Sequence, residues 1–205
     1  MRTRFVVISV VAVCLALVAV PALAASLGPV DDYAYDHARK CVKKPTKGAL
    51  ALQDWLTRNS RGVSWGIMRC ERLSGRNFSL HSEGRAIDWH LDARDPRDRR
   101  AADRLIKRLL APDETGTPHA LARRMGVQEI IWNCRSWWSG ADALEPYSLC
   151  FDRKRKKRKK VNMTLAHRDH VHIGLSKAGA RKRTSFWTRS PQAGAGALAD
   201  RAPAR

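Results

Sequence analysis

Two stretches of this chain, far apart in sequence, carry the same alternation, and that alternation limits how the chain can fold. From Arg85 onward, Ala86, Asp88 and His90 fall on one face of a strand while Ile87, Trp89 and Leu91 fall on the other. In the second stretch, His167-Arg-Asp169-His170-Val-His172-Ile173, the residues His170 and His172 share one strand face and Val171 and Ile173 share the other. Each segment thus buries an apolar face and presents titratable donors opposite it. The residues leading into the first segment, Ser79-Leu-His81-Ser-Glu-Gly84-Arg-Ala86-Ile-Asp88, follow the spacing S-x-H-x-x-G-x-A-x-D. An imidazole at His81 and a carboxylate at Asp88 are good zinc donors, and a turn at Gly84 lets the chain fold back so that both converge. Ala86 keeps bulk away from the face that carries Asp88. The Ser79 hydroxyl is placed to orient His81 or Asp88 as a second-layer partner. With a histidine of the second segment added, the set is two imidazoles, one carboxylate and one open position, which suits a catalytic zinc site better than a closed structural one. One Zn2+ per chain is the expected cofactor. His37, His90 and His119 lie outside the set and are expected to be structural.

The N-terminus leads one to expect an exported protein. A charged start, Met1 to Arg4, precedes the apolar run Phe5 to Val20 and the small residues around Ala22, Ala24 and Ala25, which together read as a signal peptide over residues 1–25. The apolar run is shorter than the roughly 20 residues that span a bilayer, so contact with the membrane is expected only during export. Cys14 leaves with that segment. The remaining Cys41, Cys70, Cys134 and Cys150 are an even set bound for an oxidising compartment, hence two disulfides whose pairing stays open among three possibilities. No C-x2-C spacing favours a four-cysteine zinc knuckle instead.

Residues 26–47 read as a lead-in tied down by Cys41, residues 48–189 as one domain, and the Pro/Ala/Gly-rich residues 190–205 as a disordered tail. Helices are expected over residues 48–59, over 97–110 behind Asp95-Pro96, and over 118–125. Strands are expected over 63–70 and 127–132. Trp132 is expected in the core, with Trp137 and Trp138 as candidates for a substrate groove.

The formal charge is +20, and about +18 once Arg2 and Arg4 are removed with the signal segment. Arg153 to Lys160 is an unbroken basic run, expected to be a solvated loop. For an exported protein this surface suits anionic wall polymers. Nucleic acid is disfavoured, because no groove-reading helix or stacking motif accompanies the run. A monomer is expected.

At the two donor-bearing segments the sequence resembles the LAS metallopeptidases, which join lysostaphin-type enzymes, D-alanyl-D-alanine metallopeptidases and the hedgehog signalling domain. The upstream segment looks like the VanY and VanX type, and the His-x-Asp-His-x-His segment like penicillin-insensitive murein endopeptidase. The resemblance covers roughly residues 62–176. It implies an α+β fold, a small antiparallel sheet flanked by helices, with zinc on the strands carrying Asp88 and His172. Carried over by position, His81, Asp88 and His172 are the metal ligands. Asp169 stands where VanX-type carboxypeptidases have a glutamate, whereas the endopeptidase-like pattern gives the activating role to His170 helped by His167. Asp169 and His170 acting together accommodate both patterns. Arg69 falls where such enzymes keep an arginine that holds a substrate carboxylate or the oxyanion. The implied activity is hydrolysis of a peptide bond in bacterial cell-wall peptidoglycan, as a D-Ala-D-Ala carboxypeptidase or an endopeptidase, by a secreted, wall-associated enzyme. A zinc-containing wall-binding module without catalysis is the alternative, and a metal-dependent nuclease a more distant one.

Overall fold

The computed structural model describes residues 29–75, 77–152, 154 and 156–188. The signal segment and the 190–205 tail lie outside the described residues. The elements run, in order, α1 (Lys47–Asn59), β1 (Val63–Gly66), β2 (Arg72–Ser74), β3 (Asn77–Phe78), a 3-10 turn (Leu80–Glu83), β4 (Ala86–His90), α2 (Pro96–Leu110), α3 (Ala120–Met125), β5 (Val127–Trp132), β6 (Arg135–Trp138), β7 (Glu145–Pro146), β8 (Phe151–Asp152), β9 (Lys157–Arg158), β10 (His170–Leu175), α4 (Lys177–Ala180) and α5 (Ser185–Thr188). Six strands form one sheet in the order β1-β4-β10-β5-β6-β7, with every neighbouring pair antiparallel. The fold is therefore α+β, with the sheet and helices expected.

The helices begin where the sequence provides caps. Thr46 accepts from the Ala49 N–H at the start of α1, and Asp95 accepts from Arg97 and Asp98 ahead of Pro96 in α2. These satisfy backbone donors that the first helical turn leaves unpaired. The inner faces of both helices, Leu52, Trp55 and Leu56 from α1 and Leu105, Ile106 and Leu109 from α2, belong to one cluster of buried side chains. Ile87, Trp89 and Leu91 of the β4 segment, Val171, Ile173 and Leu175 of β10, and Ile130, Trp132 and Trp137 belong to it as well. The apolar half of each alternating strand is thus the core, and the donor half faces the other way.

Three local features differ from the expectations. The strand foreseen over 63–70 ends at Gly66, whose φ of 129° turns the chain out of the sheet. The basic run is not wholly loop: Phe151 pairs with Arg158 and Asp152 with Lys157 in a two-stranded hairpin, which keeps the long cationic side chains in solvent. Trp137 is fully buried rather than lining a groove, while Trp138 lies on the opposite face. The disulfides join Cys41 to Cys70 and Cys134 to Cys150. Among the described residues no helix is long and apolar enough to cross a membrane. The two disulfides are compatible with an extracellular location.

Ile173 is fully buried at the centre of the sheet, between β4 and β5. Ile173→Ala should cost about 2–5 kcal/mol in denaturant unfolding. Metal stoichiometry of the folded fraction should stay unchanged, since the side chain faces away from the donors.

Candidate metal centre

The register of β4 against β10 sets Asp88 directly opposite His172 and His90 opposite His170. Cross-strand partners on one face of an antiparallel pair are near neighbours, so two of the three expected ligands meet by pairing alone. His81 arrives from the 3-10 turn. Ser79 caps that turn, accepting from the His81 backbone N–H at 3.4 Å, and Gly84 ends it in the left-handed region at φ 62°. A Cβ at Gly84 would meet the Lys44 carbonyl at 2.8 Å and Met68 Sδ at 2.8 Å, so both the conformation and the space require glycine. Ser79 orients His81, then, through its backbone.

The donor atoms converge. Asp88 Oδ1 lies 3.0 Å from His81 Nε2 and 3.0 Å from His172 Nδ1, and the two nitrogens are 3.1 Å apart. All three side chains are buried, and their donor atoms form a group that could hold a metal ion. Each ligand's remaining polar atom is occupied by a partner that fixes its orientation. His81 Nδ1 donates to the Ile67 carbonyl at 2.8 Å, and since a carbonyl only accepts, the Nε2 lone pair is left facing the centre. Asp88 Oδ2 accepts from Arg69 Nη1. His172 Nε2 stands 3.2 Å from Glu129 Oε1, which leaves Nδ1 as the ligating atom. The edge of a tetrahedron with zinc-ligand arms of about 2.1 Å is about 3.4 Å, close to the spacing found. Two neutral imidazoles and one carboxylate with carboxylate and carbonyl support match the donor chemistry of zinc.

Electrostatics are consistent with a site built for a cation. Burial pushes the His81 imidazole below its ordinary range. Burial opposes charge on Asp88 too, but the hydrogen bond from His172 holds its carboxyl well below the usual carboxylate range. His172 has its proton affinity lowered by burial and raised by hydrogen bonds to Asp88 and Glu129; the bonds win, and its pKa rises from 6.5 to about 9.

Beside this group stands a second one. His170 Nδ1 lies 2.7 Å from Asp169 Oδ1, and Asp169 Oδ2 accepts from the Thr164 hydroxyl at 2.7 Å. The carboxylate therefore keeps the proton on Nδ1. His170 Nε2, buried, has no hydrogen-bond partner among the described residues and lies 3.6 Å from Asp88 Oδ1. His167 packs its ring 4.7 Å from that of His170 and 5.8 Å from that of His172, with Tyr147 edge-on to it at 5.2 Å. Burial, then the charges of His172 and His170, lower the pKa of His167 to about 3, so it is neutral at ordinary pH. All four expected catalytic residues reach the site. Arg69, however, directs Nη1 at Asp88 and Nε at Glu71, 3.0 Å away, so its guanidinium supports a ligand as well as facing the site.

Glu129 was not foreseen. Val127–Trp132 reads as an apolar strand, and a lone carboxylate within it was the available signal: a glutamate 8 % exposed on a central strand must have a partner. Its second oxygen accepts from the Tyr35 hydroxyl at 3.3 Å, so the N-terminal segment closes the chain of support. Burial, then the Glu129 charge, hold the Tyr35 phenol well above its ordinary range. At the rim, Trp65 of the edge strand is 52 % exposed, stacks on His90 at 4.0 Å and tilts toward His170 at 6.2 Å. His90 in turn bonds the Asp169 carbonyl at 2.7 Å, a structural use as expected.

A family model described as the VldE C-terminal domain matches residues 41–159. The matched span contains His81, Asp88, Glu129 and all four cysteines of the two disulfides, and ends before the His167–His172 segment. Searches of curated proteins and of solved structures give no significant match.

Two outcomes follow from this geometry. Glu129→Gln should weaken zinc binding by about 10–100-fold in a chelator competition, with the fold retained. Metal uptake must also displace the His172 proton. The metal-free fold gains from that proton fully below pH 6.5 and loses the gain as pH rises through about 9. Apparent zinc affinity should accordingly climb by up to about tenfold per pH unit toward pH 9, read by titration at several pH values.

Proposed function

We propose that this chain, which belongs to the VldE C-terminal domain family, is a zinc-dependent peptidase acting on the peptide part of bacterial peptidoglycan. The observation that carries the reading is the pairing of two elements on one sheet face. Three convergent donors stand beside an imidazole whose Nδ1 is held by Asp169 and whose buried Nε2 has no partner. A structural metal site needs no such neighbour. An Asp-oriented imidazole with a free lone pair is the arrangement used to take and return a proton.

In this mechanism His81 Nε2, Asp88 Oδ1 and His172 Nδ1 would hold zinc, which when bound polarises a carbonyl and makes water acidic enough to act as a nucleophile near neutral pH. His170 Nε2 accepts the proton from the attacking water and returns it to the leaving amine. Asp169 keeps the Nδ1 proton in place and stabilises the imidazolium that forms between the two transfers. His167, neutral, packs its ring beside that of His170 and fills the wall of the site. Arg69 reinforces Asp88 and adds positive charge where that oxyanion forms.

The resemblance of the two donor-bearing segments to LAS metallopeptidases supports peptidoglycan as the target, as do the disulfides and the cationic surface. Within the basic run, Lys154 and Lys156 to Lys160 are exposed, so the hairpin β8–β9 suits anionic wall polymer. A wall-binding module that holds metal without catalysis is the second reading. It predicts no use for the free His170 nitrogen.

Mass analysis of muropeptides after incubation with zinc-loaded protein should show a defined mass loss, abolished by chelator, while DNA stays intact. Asp169→Asn and His170→Ala should each lower kcat at least 100-fold with zinc content unchanged. Metal-replete protein that leaves every muropeptide intact would favour the binding module. Retention on isolated walls should drop steeply between low and high salt, and replacement of Lys156, Lys157 and Arg158 by Ser should remove most of that dependence.

A further inference from the structure

A cavity of about 670 Å³ among the described residues has none of the metal donors in its lining. It opens on the opposite face of the sheet, between α2 and the end of the β5–β6 hairpin. Its volume lies within the range of small-molecule sites. Ile106, Leu110, Leu144 and Trp132 supply apolar surface. Trp132 is 4 % exposed, and its indole Nε1–H has no acceptor among the described residues.

The rim is charged. Exposed Arg99, Lys107 and Arg135 border the cavity, against the carboxylates of Asp103 and Asp142. Arg135 pairs across the hairpin with Trp132, which places a guanidinium beside the unpaired indole. Its Nη2 donates to the Leu144 carbonyl at 2.7 Å, and the rest of the fork remains for another acceptor. An apolar floor and an excess of cations at the mouth call for a ligand with an apolar body and an anionic end.

We propose that this cavity is a second ligand site, separate from the metal centre, which takes an amphipathic carboxylate: an aliphatic chain or ring system against Trp132 and Leu110, with its carboxylate toward Arg135 and Lys107. The site adjoins the segment that carries the site histidines. Asn133, which lines it, donates its backbone N–H to the His167 carbonyl at 2.6 Å, and Cys134 donates to Ala166 at 2.9 Å. A ligand seated there touches Asn133, whose backbone bonds the turn that positions His167.

The test titrates decanoate into the full-length, zinc-loaded protein while the indole N–H resonances are followed by two-dimensional NMR, that of Trp132 being assigned from Trp132→Phe. The expected result is a saturable displacement of the Trp132 resonance at one decanoate per chain. Decanol, the same chain without the charge, should bind at least fivefold more weakly, and so should decanoate to the exposed double variant Lys107→Ala, Arg135→Ala. Absence of saturation, or equal binding of decanol and decanoate, would overturn the proposal. So would displacement confined to Trp65 and Trp138 on the metal face, which would put the carboxylate at the metal centre instead.

Discussion

The cross-strand pair of Asp88 with His172 is the contact on which the rest depends. Side chains on a strand alternate with a period of two, so a slip of one residue between β4 and β10 would send the donor of the shifted strand into the core and bring its apolar side chains, Ile87 and Trp89 or Val171 and Ile173, out to water. Burial of those four side chains, all within 1 % of full burial, therefore sets the geometry of the metal centre. Core packing and ligand convergence are two readings of one register. That coupling explains how a site made of three buried polar groups persists: the sheet would have to abandon its apolar face to relax it.

Convergence alone would be unfavourable. Two imidazole nitrogens and a carboxylate oxygen within about 3 Å of one another repel unless a proton or a cation lies between them. Each ligand is held toward that crowd from behind, His81 by the Ile67 carbonyl, Asp88 by Arg69 and His172 by Glu129. The supports differ in kind, and each suits its ligand. A backbone carbonyl fixes a tautomer without adding charge, a guanidinium offsets a carboxylate, and a carboxylate increases the donor strength of an imidazole.

Much of this was legible in the chain. Alternation at Ala86–Leu91 and His170–Ile173 marked both donor strands, and Asp95-Pro96 marked the start of α2, because burial and capping leave local patterns. What escaped depended on partners distant in sequence. Glu129 looked like one polar residue in an apolar strand, and only the sheet order shows that it faces His172. Tyr35 sat in a segment without periodicity. The strand expected through Cys70 stops at Gly66, where a positive φ, invisible in the apolar pattern, ends it. Asp169 and His170 are adjacent in sequence, and within a strand would point to opposite faces. They meet because β10 begins at His170, which leaves Asp169 free to turn its carboxylate back toward the ring.

His81 is the ligand whose position owes least to the sheet, and the structure compensates for that from the N-terminal side. Its turn receives a backbone hydrogen bond from Val42 to the Ser82 carbonyl, another from Thr46 to the Gly84 carbonyl, and the Thr46 hydroxyl as well. Cys41 is bonded to Cys70, three residues beyond the Ile67 carbonyl that fixes the His81 ring. Buried Arg85 ties the same segment to β10 through the Asp36 and Leu175 carbonyls. A stretch without regular secondary structure thus buttresses the one ligand that lies outside a strand and, through Tyr35, the support of another. The disulfide belongs to the metal centre in this sense: by holding Cys41 against Cys70 it restrains both sides of the loop on which His81 is carried, where no sheet register does that work.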